Sequence, residues 1–381
     1  MVRQPARLVE RRRTAGRWRL TIDVDGRLET LETDFLAEAG GRSGAVARRR
    51  TGAPTLAVFA YWRAVLLPET PRIEARDEAW FWSAPLPNGV FNTLAFVDPK
   101  TFRSAGAAVE ERFRSLLAQS SLMEDCRGAK LACPVQAIDA TPYQSDDLIA
   151  IDAIRLGDAA AAIDPISSSG VQKAIQSALA GAVVANTLLR KPERADAAMR
   201  FYSAQLHDAF ERHRLWAADH YAAVAERRGG GFWAERAKGR QPANPRPPVE
   251  PADARGIARM LVELSRDASF VETPCLGGEF VGVAQALIHP GLAGPVAYLA
   301  GFALTPFLRN LPAGLTPLEI ARAPANRQGR WPGRPRPKLA PVTAKTGKRG
   351  DPIALRFAMF APRSGNLTAR ERRAQRQGRG N

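Results

Sequence analysis

The segment that most constrains the fold is the run at residues 154–171, which has the pattern of a strand, a Gly-Asp turn, a short loop and a helix start. Gly157 has no side chain and lets a ligand approach the backbone closely. Asp158 follows it and places a carboxylate where sugar-like hydroxyl groups can donate hydrogen bonds to it. Pro165 stiffens the loop that leads to the helix. Each part of the run therefore suits a polar ligand held at the end of a strand.

The start of the following helix is suited to an anion. Ser167, Ser168 and Ser169 are residue types that cap helix N-termini, and Gly170 opens the helix without an obstructing side chain. Free amides at a helix start, together with the helix dipole, favour negative charge by about 0.3–1 kcal/mol. Periodicity alone favours a plainer alternative, in which an ordinary capped loop joins a strand to a helix.

Hydrophobic periodicity predicts strands and helices on both sides of this run. Residues 17–38 alternate as strands do, with a hairpin turn at Asp25 and Gly26. Further strands are predicted at residues 55–67, 89–97 and 148–156, and helices at residues 107–119, 170–189 and 195–227. The helix at 170–189 is mostly apolar, and we expect it to be buried.

The net charge of +17 is concentrated at the two ends of the chain. Residues 327–381 carry a charge of +13 and residues 1–20 carry +6, so the residues between them sum to −2. The basic C-terminal segment has few aromatic residues, and base stacking on single-stranded nucleic acid requires them. We therefore expect a solvated tail and no specific nucleic-acid partner.

No feature of the sequence predicts a secretion signal, a membrane span or a metal site. Uncharged residues run from 280 to 308, but Pro290, Pro295 and Pro306 would interrupt a spanning helix, so a loop and helix are expected there. The histidines predicted on the second long helix have the wrong spacing for a zinc pair. The three cysteines fit a reducing compartment, and we expect a cytoplasmic protein.

The run at 154–171 resembles the second FAD-contacting motif of flavoprotein monooxygenases and flavin-dependent halogenases that share a glutathione-reductase-like FAD fold. Those families carry Gly-Asp-Ala-Ala, then Pro, then a Ser/Gly-rich turn into a helix. The resemblance implies that Gly157 and Asp158 hold the ribityl chain of FAD and that Pro165 lies beside the isoalloxazine ring. It also implies that the helix start at Ser169, Gly170 and Val171 faces the pyrimidine end of the flavin, where reduction builds up negative charge.

Two further segments resemble the same families. The first, Glu-Ala-Gly-Gly-Arg-Ser at residues 38–43, is similar to an Asp-Ala-Ser/Thr-Gly-Arg turn, with Glu38 in place of the usual Asp. The second, at residues 79–85, is similar to the Gly-Trp-x-Trp-x-Ile-Pro signature of halogenases. Trp80, Trp82 and Pro85 match that signature, which implies a wall between the flavin and the substrate pocket. Without the resemblance, the pattern indicates an aromatic strand packed in a core.

One motif that the resemblance leads us to expect does not occur in the sequence. These families begin with a strand, Gly-x-Gly-x-x-Gly and a helix that cradle the FAD pyrophosphate. The Gly clusters at residues 40–44 and 229–231 lack that spacing and context. The catalytic Lys of halogenases belongs to the same N-terminal part, so the catalytic residues remain unknown. We therefore expect an incomplete FAD-binding domain. Three alternatives stay open: a truncated gene product that is inactive alone, a missing part supplied by a separate chain, or a protein that has lost FAD binding.

The resemblance implies an α/β fold: an incomplete FAD-binding Rossmann-like domain, an inserted, mostly antiparallel (α+β) substrate-domain sheet and a C-terminal helical region. The expected parts are a remnant of the FAD-binding domain at 1–50, the substrate-domain sheet at 51–147, the Gly-Asp motif with long helices at 148–230, a helical region after a Pro-rich linker at 231–325, and a basic disordered tail at 326–381.

The implied function is that of an FAD-dependent oxidoreductase that oxygenates or halogenates an aromatic or electron-rich substrate, with a flavin reductase as partner. Two alternatives stay open. One is a flavoprotein maturation enzyme that modifies a partner protein. The other is a non-catalytic remnant or interaction protein with a basic tail.

Overall fold

The computed structural model of the protein describes residues 2–309, with gaps at 45–47, 64–68, 105–107, 122–123, 125–127, 241–263, 293 and 300–301. These residues belong to one compact unit at 1–329. The predicted Pro-rich linker and basic tail lie outside the described residues. The division of the chain into five parts stays a prediction.

The described elements are short strands and a few long helices. The strands are β1 Arg7–Thr14, β2 Arg17–Val24, β3 Arg27–Thr33, β4 Leu36–Glu38, β5 Arg48–Arg50, β6 Leu56–Arg63, β7 Arg72–Ala75, β8 Ala79–Leu86, β9 Val90–Val97, β10 Lys130–Leu131, β11 Gln136–Asp139, β12 Tyr143–Ser145, β13 Ile149–Ala150, β14 Ala153–Arg155, β15 Ala161–Ala162, β16 Ser269–Gly277, β17 Phe280–Ile288, β18 Tyr298–Leu299 and β19 Phe302–Ala303. The helices are α1 Pro99–Ser104, α2 Val109–Leu117, α3 Gly170–Arg190, α4 Ala195–Arg228, α5 Gly231–Ala237 and α6 Leu304–Arg309.

The largest sheet is antiparallel, with strand order β10-β6-β9-β8-β7 and with β11 also paired to β6; we call it the aromatic sheet. Its strands are rich in the β-branched and aromatic residues that pack well on a pleated surface. Trp62 on β6 is fully buried and stacks on Phe113 of α2, with ring centroids 6.4 Å apart. The Trp62 indole also donates a hydrogen bond of 2.7 Å to Thr93 Oγ1 on β9. The sheet confirms the strands predicted at 55–67 and 89–97.

The N-terminal strands β1, β2 and β3 form a separate antiparallel meander. Asp25 and Gly26 join β2 to β3 with φ values of 51° and 81°, the left-handed pair that a tight hairpin turn requires. The predicted hairpin is confirmed. Strand β4 then leaves the meander and pairs in parallel with β14, which precedes the Gly-Asp turn. The antiparallel aromatic sheet and this parallel pair agree with the predicted mixed α/β fold.

Helices α3 and α4 confirm the two long helices that periodicity predicts. Helix α4 buries one face, which includes Tyr202 and Leu206, against α3 and β14. Helix α3 is buried along one face only, whereas the sequence predicted a buried helix. Val171, Ile175 and Leu179, four residues apart, have exposed fractions of 77%, 57% and 68%. A high apolar content in the sequence of a helix therefore does not distinguish a fully buried helix from one that has an exposed apolar face.

Residues 269–288 form the hairpin of β16 and β17, so the predicted helical region is wrong there. Val281 on β17 is fully buried, whereas Val283 is 55% exposed. The tight turn between the strands includes Gly278, whose φ is +79°. Val281 N–H donates to Thr187 Oγ1 on α3, so the hairpin covers the C-terminal half of that helix. Among the described helices, none has the length and apolar character needed to cross a bilayer.

Candidate functional site

The pairing of β4 with β14 brings two of the motif segments together. Leu156 N–H donates to the Glu38 carbonyl at 2.8 Å, and Arg155 Nη1 lies 3.2 Å from Glu38 Oε2. Arg11 forms a second ion pair with Glu38. The turn at residues 38–43 therefore begins beside the Gly-Asp turn, and Glu38 holds the two strands together electrostatically.

Gly157 adopts a conformation that favours glycine. Its φ is +57°, and a Cβ at this position would lie 3.3 Å from the Ala174 Cβ on α3. Its N–H donates a hydrogen bond of 2.8 Å to Ser177 Oγ, also on α3. One helical turn further on, a Cβ at Gly181 would collide with Leu156. Small residues thus let α3 pack directly against the strand end, which fixes the turn.

Asp158 is held by a buried cation. Lys173 Nζ lies 2.9 Å from Asp158 Oδ1 and also donates to the Ala161 carbonyl. The Lys173 side chain is almost fully buried, whereas that of Asp158 is 37% exposed. Burial lowers the pKa of Lys173, and the hydrogen bond to Asp158 opposes that shift. One carboxylate oxygen is therefore fixed by Lys173, and the Asp158 side chain still reaches the surface.

Arg42 adds a second positive charge to this region. Its Nε lies 4.0 Å from Asp158 Oδ2, and its Nη1 donates to the Thr141 carbonyl at 3.1 Å. The guanidinium stands over the Tyr143 ring, 5.4 Å from the centroid. Tyr143 in turn donates its hydroxyl to the Asp158 carbonyl at 2.5 Å. Two cations thus flank one carboxylate, which gives the surroundings of Asp158 a net positive charge. We call β4, β14, the turn at 157–159 and the first half of α3 the Gly-Asp region.

The loop before α3 is built around Asp164. Its Oδ1 accepts hydrogen bonds from the Ile166 N–H at 3.0 Å and from the Tyr221 hydroxyl at 2.8 Å. Burial raises the pKa of Asp164, and burial next to this carboxylate also raises the pKa of Tyr221. Pro165 begins the short 3-10 turn that follows Asp164. The carboxylate therefore ties the loop that contains Pro165 to α4.

The start of α3 is left without a side-chain cap. Ser169 is the N-cap residue, but its hydroxyl donates to the Ser167 carbonyl at 2.8 Å rather than receiving a hydrogen bond from the helix. Ser168 adopts a left-handed φ of 48°, which turns the chain into the helix. Gly170 and Val171 form the first turn of α3. The predicted helix start is confirmed, and its role in anion binding stays a prediction.

The aromatic strand β8 lies against the same loop. Trp80 is buried and stacks on Phe96 of β9, with centroids 3.8 Å apart and planes 10° apart. Trp80 and Tyr221 belong to one apolar cluster, and Trp82 and Ile166 pack against it. Pro85 lies later on β8, opposite Phe91. The structure thus brings Trp80 and Trp82 next to the Asp164 loop, while their role as a pocket wall stays a prediction.

Sequence reasoning missed three residues that order this region. Lys173 gave a usable signal, because a lone ammonium within a mostly apolar helix needs a buried partner. Arg42 lies inside a quoted motif but was given no role. Asp164 lies inside the run at 154–171, where its partner Tyr221, distant in sequence, was invisible. Separately, no group of His, Cys, Asp and Glu side chains suited to a metal ion occurs within the described ranges.

The fold and the Gly-Asp region define a class of protein. It is an α/β protein with a strand, a Gly-Asp turn and a helix that begins with glycine, beside an aromatic antiparallel sheet. A sequence model of the tryptophan halogenase family matches residues 53–272, which is more than half of the chain. The protein belongs to that family.

Two curated relatives are halogenases. A tryptophan 2-halogenase from Chondromyces crocatus is 26% identical over 238 residues, which cover 58% of this chain and 45% of the relative. A flavin-dependent halogenase from Armillaria mellea is 26% identical over 196 residues, which cover 45% of this chain and 37% of the relative. The chain therefore spans less than half the length of these relatives.

Two solved structures are similar to the protein over most of its length. The peptidyl tryptophan dihydroxylase QhpG superposes with a TM-score of 0.65 at 26% identity, covering 85% of this chain and 72% of QhpG. The flavin-dependent halogenase CmlS superposes with a TM-score of 0.62 at 18% identity, covering 81% of this chain and 68% of CmlS. The second similarity confirms the fold.

Proposed function

We propose that this protein is an FAD-dependent oxidoreductase that modifies an aromatic ring. The observation that carries the proposal is the Gly-Asp region, where Gly157 and the partly exposed Asp158 lie at a strand end beside two cations. Membership of the tryptophan halogenase family and the relatives named as flavin-dependent halogenases support it.

The residues present fit the flavin. The lack of a side chain at Gly157 lets α3 pack against the strand end, and its positive φ presents the Asp158 turn at the end of β14. Asp158 Oδ2 accepts no hydrogen bond from any described residue, so it is available to a ribityl hydroxyl. Pro165, Ser169, Gly170 and Val171 would border the ring system, with the uncapped α3 amides toward its electron-rich end.

In this proposal the residues of the chain bind the flavin and orient it. Lys173 holds Asp158 in one orientation through a hydrogen bond to Oδ1, so that the other carboxylate oxygen can accept a hydrogen bond from the ligand. Arg42 adds positive charge that favours an anionic flavin. A reduced FAD held there would supply the dioxygen activation that oxygenation or halogenation of an electron-rich ring requires. Trp80 and Trp82 would separate the flavin from the substrate.

The experiment is a turnover assay of the full chain with FAD, a flavin reductase, NADH and an indole or phenol substrate, with and without bromide. Products are identified by mass spectrometry. We expect an oxygenated or brominated ring with the wild type and no product with Asp158→Ala. Product formation that is the same in Asp158→Ala would contradict the proposed role of the Gly-Asp region.

A second candidate is modification of an aromatic side chain on a partner protein. It is favoured by the similarity to QhpG, a peptidyl tryptophan dihydroxylase, which is 26% identical and covers 85% of this chain. The same assay with tryptophan-containing peptides distinguishes the two substrates. A flavin reductase partner and a cytoplasmic location belong to either version of the proposal.

A further inference from the structure

Helix α3 presents an apolar side to solvent along most of its length. Ile175, Leu179 and Leu189 have exposed fractions of 57%, 68% and 55%. Ala178 and Ala182 lie between them along the helix and are also exposed. We call these five residues the α3 stripe. A contiguous apolar patch on the surface of a folded chain marks an interaction surface.

The spacing of the α3 stripe places it on a single side of the helix. Steps of three and four residues return to the same side of an α-helix, so the members of the stripe face one way. From its first residue to its last, the stripe is about 21 Å long. Val184 and Leu188 lie on the opposite side, in the buried cluster that α3 forms with α4. The stripe therefore faces away from that cluster.

The exposed side of α3 differs from that of α4 in charge. Lys173 and Arg190 are the only charged residues of α3; the first is buried, and the second ends the helix. The exposed residues of α4 include Asp196, Arg200 and Asp208, so that helix has the charged outer side that is typical of contact with water. The α3 stripe has no charged member and has instead the composition of a contact surface.

The lack of charge also limits the kind of partner. A helix that binds a membrane surface carries Lys and Arg along its polar side, and nucleic acid is bound through basic residues. A strongly charged protein partner is recognised through charges of the opposite sign. A second copy of the α3 stripe needs no charged residue, and it meets no like charge. The stripe therefore fits a second copy of this chain.

We propose that the protein forms a dimer through the α3 stripe, with the two α3 helices antiparallel about a two-fold axis near Ala182. Ile175 of one protomer then lies opposite Leu189 of its partner, because each is seven residues from Ala182. The small Ala182 side chains let the helices approach to about 8–10 Å, and each copy offers the other the same surface, as a two-fold contact requires. The dimer does not depend on the proposed function, because the stripe faces away from the buried Lys173 that holds Asp158.

The test is sedimentation velocity of the full chain, free of flavin, over a range of protein concentrations. We expect a monomer–dimer equilibrium with a dissociation constant of about 1–10 µM. Leu179→Glu places a carboxylate within the contact, where both copies would bury an unpaired charge. We expect the dissociation constant of this variant to rise at least about thirtyfold.

The matched control is Leu28→Glu on β3, because Leu28 has the same exposed fraction as Leu179, 68%, and lies outside the stripe. We expect it to dimerise as the wild type does.

Ala182→Cys gives a second, independent measurement. Near the two-fold axis its thiol meets its own copy, and mild oxidation is expected to give a covalent dimer on a non-reducing gel. The controls for this reaction are Leu28→Cys and the wild type, which has three cysteines of its own, and we expect little cross-linking of either. The Ala182 variant keeps the test decisive if Leu179→Glu fails to fold.

The proposal is overturned if the wild type sediments as a monomer at every concentration, or if it assembles without limit beyond a dimer. It is also overturned if folded Leu179→Glu dimerises as the wild type does, or if Ala182→Cys gives no covalent dimer, because the copies would then meet through another face. Loss of the dimer in Leu179→Glu alone, together with cross-linking through Ala182→Cys, is the result that the proposal predicts.

Discussion

The aromatic sheet and the Gly-Asp region, although joined in one compact unit, bury different kinds of side chain. Between the strands of the sheet and α2, the buried residues include large apolar side chains such as Phe81, Phe91 and Phe113. In the Gly-Asp region, Arg155, Lys173 and Ser177 are buried instead, with exposed fractions of 7%, 5% and 4%. Val171, Ile175 and Leu179 in the first half of α3 are exposed.

From this difference we expect stability and ligand binding to depend on different regions. Burial of large apolar groups stabilises a fold in proportion to area, and it needs no ligand. Buried charges are costly unless they are paired, so they persist where they orient another group. In the Gly-Asp region the buried cations Lys173 and Arg155 form ion pairs with Asp158 and Glu38, respectively. We therefore expect the sheet to govern unfolding and the Gly-Asp region to govern ligand binding.

The largest effect is expected from the sheet. Phe113→Ala removes a fully buried ring that stacks on Trp62, and we expect the free energy of unfolding to fall by about 3–5 kcal/mol. Urea denaturation measures it. The control is Ile73→Ala on β7, whose side chain is 61% exposed, with an expected change below about 0.5 kcal/mol. Equal losses of unfolding free energy in the two variants would show that the buried side chains of the sheet do not govern unfolding.

Lys173→Met should have an intermediate effect on stability and a large one on flavin. Asp158 and the Ala161 carbonyl lose their donor, and water partly compensates because Asp158 is partly exposed. We expect unfolding free energy to fall by about 1–3 kcal/mol. Denaturation and flavin titration are measured together, with the exposed Lys100→Met as control. Unchanged flavin affinity in the Lys173 variant would contradict the positioning role of that residue.

Ser177→Ala tests a single backbone hydrogen bond in the Gly-Asp region. The Gly157 N–H loses its acceptor at 2.8 Å, and we expect a loss of about 0.5–1.5 kcal/mol. Urea denaturation of this variant and of Ser203→Ala, on α4, gives the comparison. A Ser177 variant as stable as the wild type, with unchanged amide exchange at Gly157, would show that the turn is fixed by packing alone.

The smallest effect concerns pH. Burial, followed by the charges of Arg212 and Lys173, lowers the pKa of His213 below its ordinary 6.5. The folded state therefore disfavours the protonated imidazole. The stability gained by keeping His213 neutral is present above about pH 6.5 and is lost as the pH falls. His213→Gln should flatten the decline in stability between about pH 7 and pH 5. Thermal melts across that range, with His207→Gln as control, measure the slope; a slope unchanged by His213→Gln would contradict it.

The sequence predicted the aromatic sheet and the long helices well, because their periods are local and their side chains are large. It missed the hairpin of β16 and β17, because the prolines of the uncharged run at 280–308 favoured a loop and a helix. The position of Gly157 and Asp158 at a strand end came from a local pattern together with a family resemblance.

The partners of Asp158 and Asp164 were beyond sequence reasoning. Arg42 reaches Asp158 across the β4–β14 pairing, and Tyr221 reaches Asp164 from far along α4. Such contacts depend on how the elements pack, and one sequence carries no signal for them. A cavity beside the Asp164 loop is hidden for the same reason, since its lining residues come from five separate segments.

The central claim is that Asp158 helps to hold a flavin. The most direct measurement is a fluorescence titration of FAD and of riboflavin with the wild type, Asp158→Ala and Asp147→Ala, an exposed carboxylate ahead of β13. We predict saturable binding by the wild type and by Asp147→Ala, and at least a tenfold loss, about 1.4 kcal/mol, in Asp158→Ala. Binding of both flavins by Asp158→Ala with wild-type affinity would contradict the account.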